Sequence, residues 1–329
     1  MRGFEYYNVT TKAQALALLA KYQDKGAILA GGSDMLAMMK DRVEGPKLHA
    51  PLHVFDIKEI KELNYLKEQK GGLKIGATTT LSDIASSALV AAKYPLLAQA
   101  AAQVAVPQIR NVGTLGGNLC QRPRCWYFRG KLFKDCFRKG GDNCYAPGGE
   151  NQYHAAFGGE ICYMVCPSDL APALAALDAN VEIAGPKGNR LVPLQSFYLK
   201  SQKDITKETV LGPAEMVTAI EIPASAPGTK GVFLKLKERQ AFDFAIVSAA
   251  VKLLMKGDVV ADARIILGGV APYPWRAELS EATLKGNTVK NATAAACKAV
   301  ADRAQPLSGN GYKVKAAQGT VEQALTLLA

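Results

Sequence analysis

The stretch Val112-Gly113-Thr114-Leu115-Gly116-Gly117-Asn118-Leu119, answered by Pro167-Ser168-Asp169-Leu170, decides how the rest of this 329-residue chain is read. Between the two lie all but one of the seven cysteines, in a glycine-rich loop with no hydrophobic period. Such a segment buries too little apolar surface to order itself, so something else is expected to hold it; four thiolates on a metal centre would do so. An odd cysteine count fits poorly with a fully disulfide-bonded secreted scaffold, and in a reducing compartment clustered cysteines more often bind metal.

Working outward, the N-terminal side reads as alternating elements. Thr10 to Tyr22 predicts an amphipathic helix capped by Thr10 or Thr11. Ala27-Ile28-Leu29-Ala30 predicts a short buried strand running into Gly31-Gly32-Ser33-Asp34, with a helix restarting at Met35. Strand, glycine pair and helix start bring bare backbone N–H groups within reach of a phosphate. On its own this is most often only a turn, and it is not the G-x-G-x-x-G dinucleotide fingerprint. Further strands are expected at His53–Ile57 and in a hairpin of Leu63–Leu66 with Leu73–Gly76. Helices follow from Ser82 and over Tyr94–Ala105, the latter ended by Pro107.

Beyond the cysteines, Asp169–Ala179 predicts a helix, and Val181–Ile183 with Leu191–Pro193 a second hairpin. The character changes after Ile222-Pro223. Three strand runs (Val232–Leu236, Ala245–Met255, Val259–Leu267) precede helices over Ala292–Ala304 and Thr320–Leu328, as expected of a separate α+β domain.

The composition, 49% hydrophobic and 21% charged, is ordinary for a globular protein. No run reaches the roughly 18 apolar residues of a membrane span, and the N-terminus has no signal-peptide pattern. A cytoplasmic location is expected, with periplasmic export alongside a signal-bearing partner as the alternative. The net charge of +11 invites nucleic acid, but the basic residues are dispersed and no recognition motif accompanies them. Gln121–Glu150 holds seven basic and three acidic residues, which reads as a basic rim that would attract acidic partners or offset a thiolate cluster. No Ser or Cys arrangement suggests nucleophilic hydrolysis.

Five markers occur in a telling order: Ala30-Gly31-Gly32-Ser33-Asp34; Gly113-Thr114-Leu115-Gly116-Gly117-Asn118; Pro167-Ser168-Asp169; Lys235 with Asp243-Phe244-Ala245-Ile246-Val247-Ser248; and Leu267-Gly268-Gly269-Val270-Ala271. With them the chain resembles, along its whole length, the FAD-binding medium subunit of the xanthine dehydrogenase and carbon monoxide dehydrogenase family of molybdenum hydroxylases. The resemblance implies an α+β fold: a two-part FAD-binding domain of the vanillyl-alcohol-oxidase type over residues 1–224, then a C-terminal domain of antiparallel sheet and helices over 225–329. It also implies the site. Ile28, Leu29, Ala30, Gly31, Gly32, Ser33, Asp34 and Met35 would form the first loop around the FAD pyrophosphate, and Thr114, Gly116, Gly117 and Asn118 the second. Val104 and Ala105 would line the adenine or ring pocket, Asp169 would contact FAD, Lys235 would reach the flavin ring, and Phe242 would cover one face of it. Read without the family, Lys235 is a solvent-facing strand residue and Asp169 a helix cap.

The departure from most members is an insertion over about 121–162. It resembles those of 4-hydroxybenzoyl-CoA reductase and a bacterial aldehyde oxidoreductase, which hold an extra [4Fe–4S] cluster, and it implies Cys125, Cys136, Cys144 and Cys162 as ligands. Cys120 and Cys166 have usable spacings but stand beside the flavin motifs, where packing is the simpler role. Zinc is the chemical rival, although no tight C-x2-4-C knuckle is plain. His154, inside the insertion, is a conceivable ligand; Cys297 reads as a buried small hydrophobe.

The function implied is electron transfer. A molybdenum-bearing large subunit and a small subunit with two [2Fe–2S] clusters would be partners, with a dimer of heterotrimers as one assembly open to them and a one-electron carrier such as ferredoxin outside. Two alternatives stay open: FAD reacting directly with NAD+ or oxygen, and a metal-stapled loop that only docks partners.

Overall fold

The computed structural model describes residues 1–329 and builds the chain on three sheets. Strands β1 (Glu5–Asn8), β2 (Gly26–Leu29) and β3 (His53–Asp56) form a small parallel sheet in the order β1-β3-β2. The helix Lys12–Tyr22, capped by Thr11, crosses over from β1 and closes a small core of Val9, Ala15, Leu19, Phe55 and their neighbours. Parallel strands need such a crossover, which fixes the N-terminal reading of strand, helix, strand.

The second sheet has five antiparallel strands, β4 (Leu66–Gln69), β5 (Gly72–Gly76), β6 (Asn180–Gly185), β7 (Gly188–Pro193) and β8 (Met216–Ile222), in the order β4-β5-β8-β6-β7. The hairpin expected from Leu63 begins later. Lys61–Leu63 is a 3-10 turn, and the strand starts at Leu66, with Lys70 and Gly71 making the left-handed turn into Gly72. Pro107 does not merely stop a helix; it starts the next one at its first position, Pro107–Arg110.

The third sheet, β9 (Thr229–Leu236), β10 (Val247–Lys256), β11 (Val259–Gly268) and β12 (Trp275–Arg276), is antiparallel in the order β12-β11-β10-β9. Both of its faces are covered. Phe233, Ala250 and Ile266 join a 35-residue core shared with the helices Pro95–Ala102 and Leu170–Ala176 and the five-stranded sheet. Alternating positions Val232, Ala249, Val251, Ile265 and Leu267 join a 26-residue core under the helices Glu278–Leu284, Val289–Ala299 and Tyr312–Leu328. A strand buried on two faces loses the polar–apolar alternation, and β10 is apolar apart from Ser248, Lys252 and Lys256. No helix is long and apolar enough to cross a membrane.

Candidate functional site

The two glycine loops meet. Ala30–Asp34 leaves the end of β2, with Gly32 at φ +72°, and the Val112–Thr114 turn comes up against it. A Cβ on Gly31 would collide with the carbonyl oxygen of Val112, so the close approach requires glycine. The backbone N–H groups of Gly31, Gly32, Ser33 and Asp34 find no acceptor within the protein. A row of unpaired N–H groups on a glycine turn is a cradle for anionic oxygens.

The second loop is organised differently. Thr114 caps the helix Leu115–Cys120 by accepting from the Gly117 N–H at 3.2 Å, and the Gly116 N–H donates to Ala77 O at 2.8 Å. Asn118 Oδ1 accepts from Ser168 Oγ at 2.6 Å, and Ser168 also accepts from the Ala171 N–H. Ser168, not Asp169, therefore caps the helix Leu170–Ala176 with its side chain.

These loops line a cavity of about 770 Å³ that runs out to Val104, Ala105, Phe242 and Phe244. Of the residues expected from sequence, Ile28 to Met35, Val104, Ala105, Thr114, Gly116, Gly117, Asn118, Asp169 and Phe242 all line it. Ala105 (φ +42°) and Phe242 (φ +55°) are both left-handed and joined by a hydrogen bond from Phe242 N to Ala105 O at 3.3 Å. A bulky residue at positive φ is strained, and such strain concentrates at functional sites.

Lys235 departs from both readings made of it. Its side chain is 1% exposed, so it does not face solvent, and it does not line the cavity either. Its ammonium donates to Asp169 Oδ2 at 2.6 Å, to Gln103 O and to Asp243 O, behind the cavity wall. Burial pushes the Asp169 carboxyl up, against the pull of Lys235 and Lys237. The cations that do line the cavity are Arg42, Arg122, Arg124 and Arg239, which sequence reasoning did not place there. The signal available was the excess of basic residues over acidic ones after Gln121.

Asp34 also corrects its reading. Its backbone belongs to the cradle, but its carboxylate turns to the cysteine loop, accepting from Arg122 N at 2.8 Å and Arg129 Nη2 at 2.6 Å, with Arg124 Nη2 ion-paired to it at 2.8 Å. Arg122 continues to Glu208, Glu208 to Arg138, and Arg138 Nε donates to Cys162 Sγ at 3.3 Å. One chain of polar contacts thus runs from the first glycine loop to a cysteine.

The cysteine loop is more self-supporting than its composition suggests. Tyr127, Phe133, Tyr145 and His154 pack ring against ring, and Phe128 and Cys136 pack on Val43. The expected basic rim does not form. Arg138 and Lys139 are fully buried, Arg122, Arg124 and Arg129 are drawn to Asp34 and Glu208, and only Lys131 and Lys134 are exposed. Arg138 turns inward onto a thiol, while Arg122 and Arg124 line the cavity. Burial raises the pKa of Cys125 to about 12 and also raises Cys136 and Cys144; a charge on Cys162 adds to the rise at all three, so the four share one neighbourhood. His154 Nε2 lies 3.2 Å from Cys125 Sγ, and burial lowers its pKa to about 4. Cys120 and Cys166, both raised to about 12 by burial, pack with the main core, and Cys297 is buried under the C-terminal helices. No three His, Cys, Asp or Glu side chains converge tightly enough to hold a single metal ion.

Comparison with known proteins agrees with the cavity. Residues 2–125 and 148–225 match the family described as FAD binding domain in molybdopterin dehydrogenase, and residues 232–327 match the CO dehydrogenase flavoprotein C-terminal domain. The unmatched stretch, 126–147, lies within the cysteine loop. The aldehyde oxidoreductase FAD-binding subunit PaoB of Escherichia coli K12 is 34% identical over 327 residues, covering 99% of this chain and 98% of its own. The carbon monoxide dehydrogenase medium chain of Hydrogenophaga pseudoflava is 32% identical, covering 98% and 96%. A solved structure of that organism's carbon monoxide dehydrogenase superposes with a TM-score of 0.77 over 99% of this chain and 96% of its counterpart. Quinoline 2-oxidoreductase of Pseudomonas putida 86, at 24% identity and a TM-score of 0.75, shares the fold. With both halves matched and a glycine cradle opening on a cavity between them, the chain belongs to the oxidoreductase FAD-binding subunits of the molybdenum hydroxylases.

Proposed function

We propose that this chain carries electrons between an FAD in its cavity and a [4Fe–4S] cluster in its cysteine loop, as the medium subunit of a heterotrimeric molybdenum hydroxylase. The large partner would bear the molybdenum cofactor and the small partner two [2Fe–2S] clusters; the FAD domain would span 1–224 and the C-terminal domain 225–329. FAD supplies the exchange between a two-electron site and one-electron carriers. The chain's part is to hold and insulate. The N–H groups of Gly31 to Asp34 would bind the diphosphate, Thr114, Gly116, Gly117 and Asn118 would shape the opposite wall, and Ala105 and Phe242 would bound the ring end. Asp169, buried and paired with Lys235, would fix the floor between them.

The observation that carries the redox reading is the chain of polar contacts from Asp34 to Cys162, which ties the flavin loop to the thiols. Cys125, Cys136, Cys144 and Cys162 would be the ligands. The four thiols share a neighbourhood, and buried Arg138 and Lys139 would supply the charge an anionic cluster needs. A hydrogen bond from Arg138 to a ligand sulfur is one of the means by which proteins set cluster potential.

The test is to count iron, zinc and flavin on anaerobically purified protein and to record its EPR spectrum. About four irons and one FAD per chain are expected. FAD with zinc, or FAD without iron, would sink the cluster and leave the loop as a structural staple. Rapid reduction of the flavin by NADH would favour direct reaction with a nicotinamide over a ferredoxin-type carrier.

A further inference from the structure

The cysteine loop does more than stand beside the flavin cavity; one of its side chains forms part of the wall. Arg124 lies on the cavity, its guanidinium 5.0 Å over the Phe244 ring and its Nη2 2.8 Å from Asp34 Oδ1. Its Nε is buried and has no partner in the protein. Leaving a buried guanidinium N–H unpaired is costly, and the remaining contacts hold this one in place at the cavity wall. Arg124 and Arg129 share the single carboxylate of Asp34, so one positive charge is left over beside the unpaired N–H groups of Gly31 to Asp34.

We infer that Arg124 is a binding residue for the flavin nucleotide, its Nε donating to a diphosphate oxygen, so that the cysteine loop contributes directly to FAD affinity. The inference rests on FAD occupying this cavity. It makes the insertion a clasp across the dinucleotide, and it makes cofactor retention depend on a residue next to Cys125 that lies outside both glycine loops.

Titration of the deflavinated full-length chain with FAD, followed by flavin fluorescence, tests it. Arg124→Gln should weaken binding about tenfold or more, as expected for a lost charge-assisted hydrogen bond, with far-UV circular dichroism unchanged. The wild type should also lose affinity with added salt more steeply than the glutamine variant. Arg124→Lys keeps the charge and can keep the Asp34 pair but lacks Nε, so its affinity should fall between the two; it carries the test should the glutamine variant not fold. Binding within about twofold of wild type in either variant, or equal salt dependence in wild type and Arg124→Gln, would overturn the assignment. Failure of the wild-type chain to take up FAD at all would instead remove the cavity reading beneath it.

Discussion

At the scale of single residues, burial decides what each charged group does. Lys235 and Asp169 are 1% and 6% exposed in their side chains and lie 2.6 Å apart. Removing one partner of such a pair strands the other charge, at a cost of about 3–5 kcal/mol, whereas replacing both costs far less. Lys235→Met should therefore lower the melting temperature sharply, and adding Asp169→Leu should restore most of it. A double variant as unstable as the single one would show that Lys235 acts through Gln103 and Asp243 instead. The backbone part of the site is legible from sequence, because a glycine pair after a strand and a Thr three residues before Gly117 are local signals. The side-chain part is not. Asp34 follows Gly31-Gly32-Ser33 and reads as a phosphate-loop residue, yet its carboxylate is claimed by arginines 88 to 95 residues away, a pairing that only the fold creates.

Among elements, the contact between the two glycine loops leaves no room for a side chain at Gly31. Gly31→Ala should force the Val112 carbonyl away and distort the cradle, with FAD content falling while the fold persists. Gly117→Ala meets only the Thr114 hydroxyl at 2.9 Å, so it should loosen that helix cap but leave the loop contact in place and retain more flavin. Equal flavin loss in both would point to the helix Leu115–Cys120 rather than to the loop contact. A second joint is made by Lys313, 1% exposed, whose ammonium donates to Tyr153 O and Gly269 O and so ties the helix Tyr312–Leu328 to the exit of the cysteine loop. Burial lowers its pKa from 10.5 to about 7, with no carboxylate to oppose it. Below pH 7 the folded and unfolded chains both carry the proton, and the penalty of burying it is fully present. Between about pH 7 and 10.5 the unfolded chain holds more protons, so this residue's contribution to stability improves as pH rises. The melting temperature of the wild type relative to Lys313→Met should rise across that window, and a flat difference would show that Lys313 does not titrate there. Elements were legible in sequence where an apolar pattern marks a buried face. The strand β8, central in its sheet and buried on both faces, escapes a reading based on alternation, as do the short and mostly exposed β1 and the helix Glu278–Leu284.

Across the whole molecule, two large cores hold the five- and four-stranded sheets, and almost nothing of the cysteine loop enters either until Ala156 and Phe157. The loop between Arg122 and His154 is held instead by ion pairs to Asp34 and Glu208, a small aromatic group and, where the thiols carry one, a cluster. Its stability should therefore be separable from that of the sheets, since regions with few buried apolar contacts open without global unfolding. Lys131 and Lys134 are exposed in this loop and are natural trypsin sites, while Arg138 and Lys139 are buried. Treating the protein with an iron chelator under anaerobic conditions should speed tryptic cleavage after Lys131 and Lys134 by about tenfold or more, with the main thermal transition little changed. Cleavage at Arg138 or Lys139 would follow only if the loop opens fully. Equal protection before and after chelation would mean that the arginine clamp and aromatic packing suffice to order the loop, and the thiols would then have no part in holding it. A collapse of the main transition on chelation would tie the loop to the sheets through Asn310 and Lys313, which bond the backbone at Tyr153, His154 and Ala155.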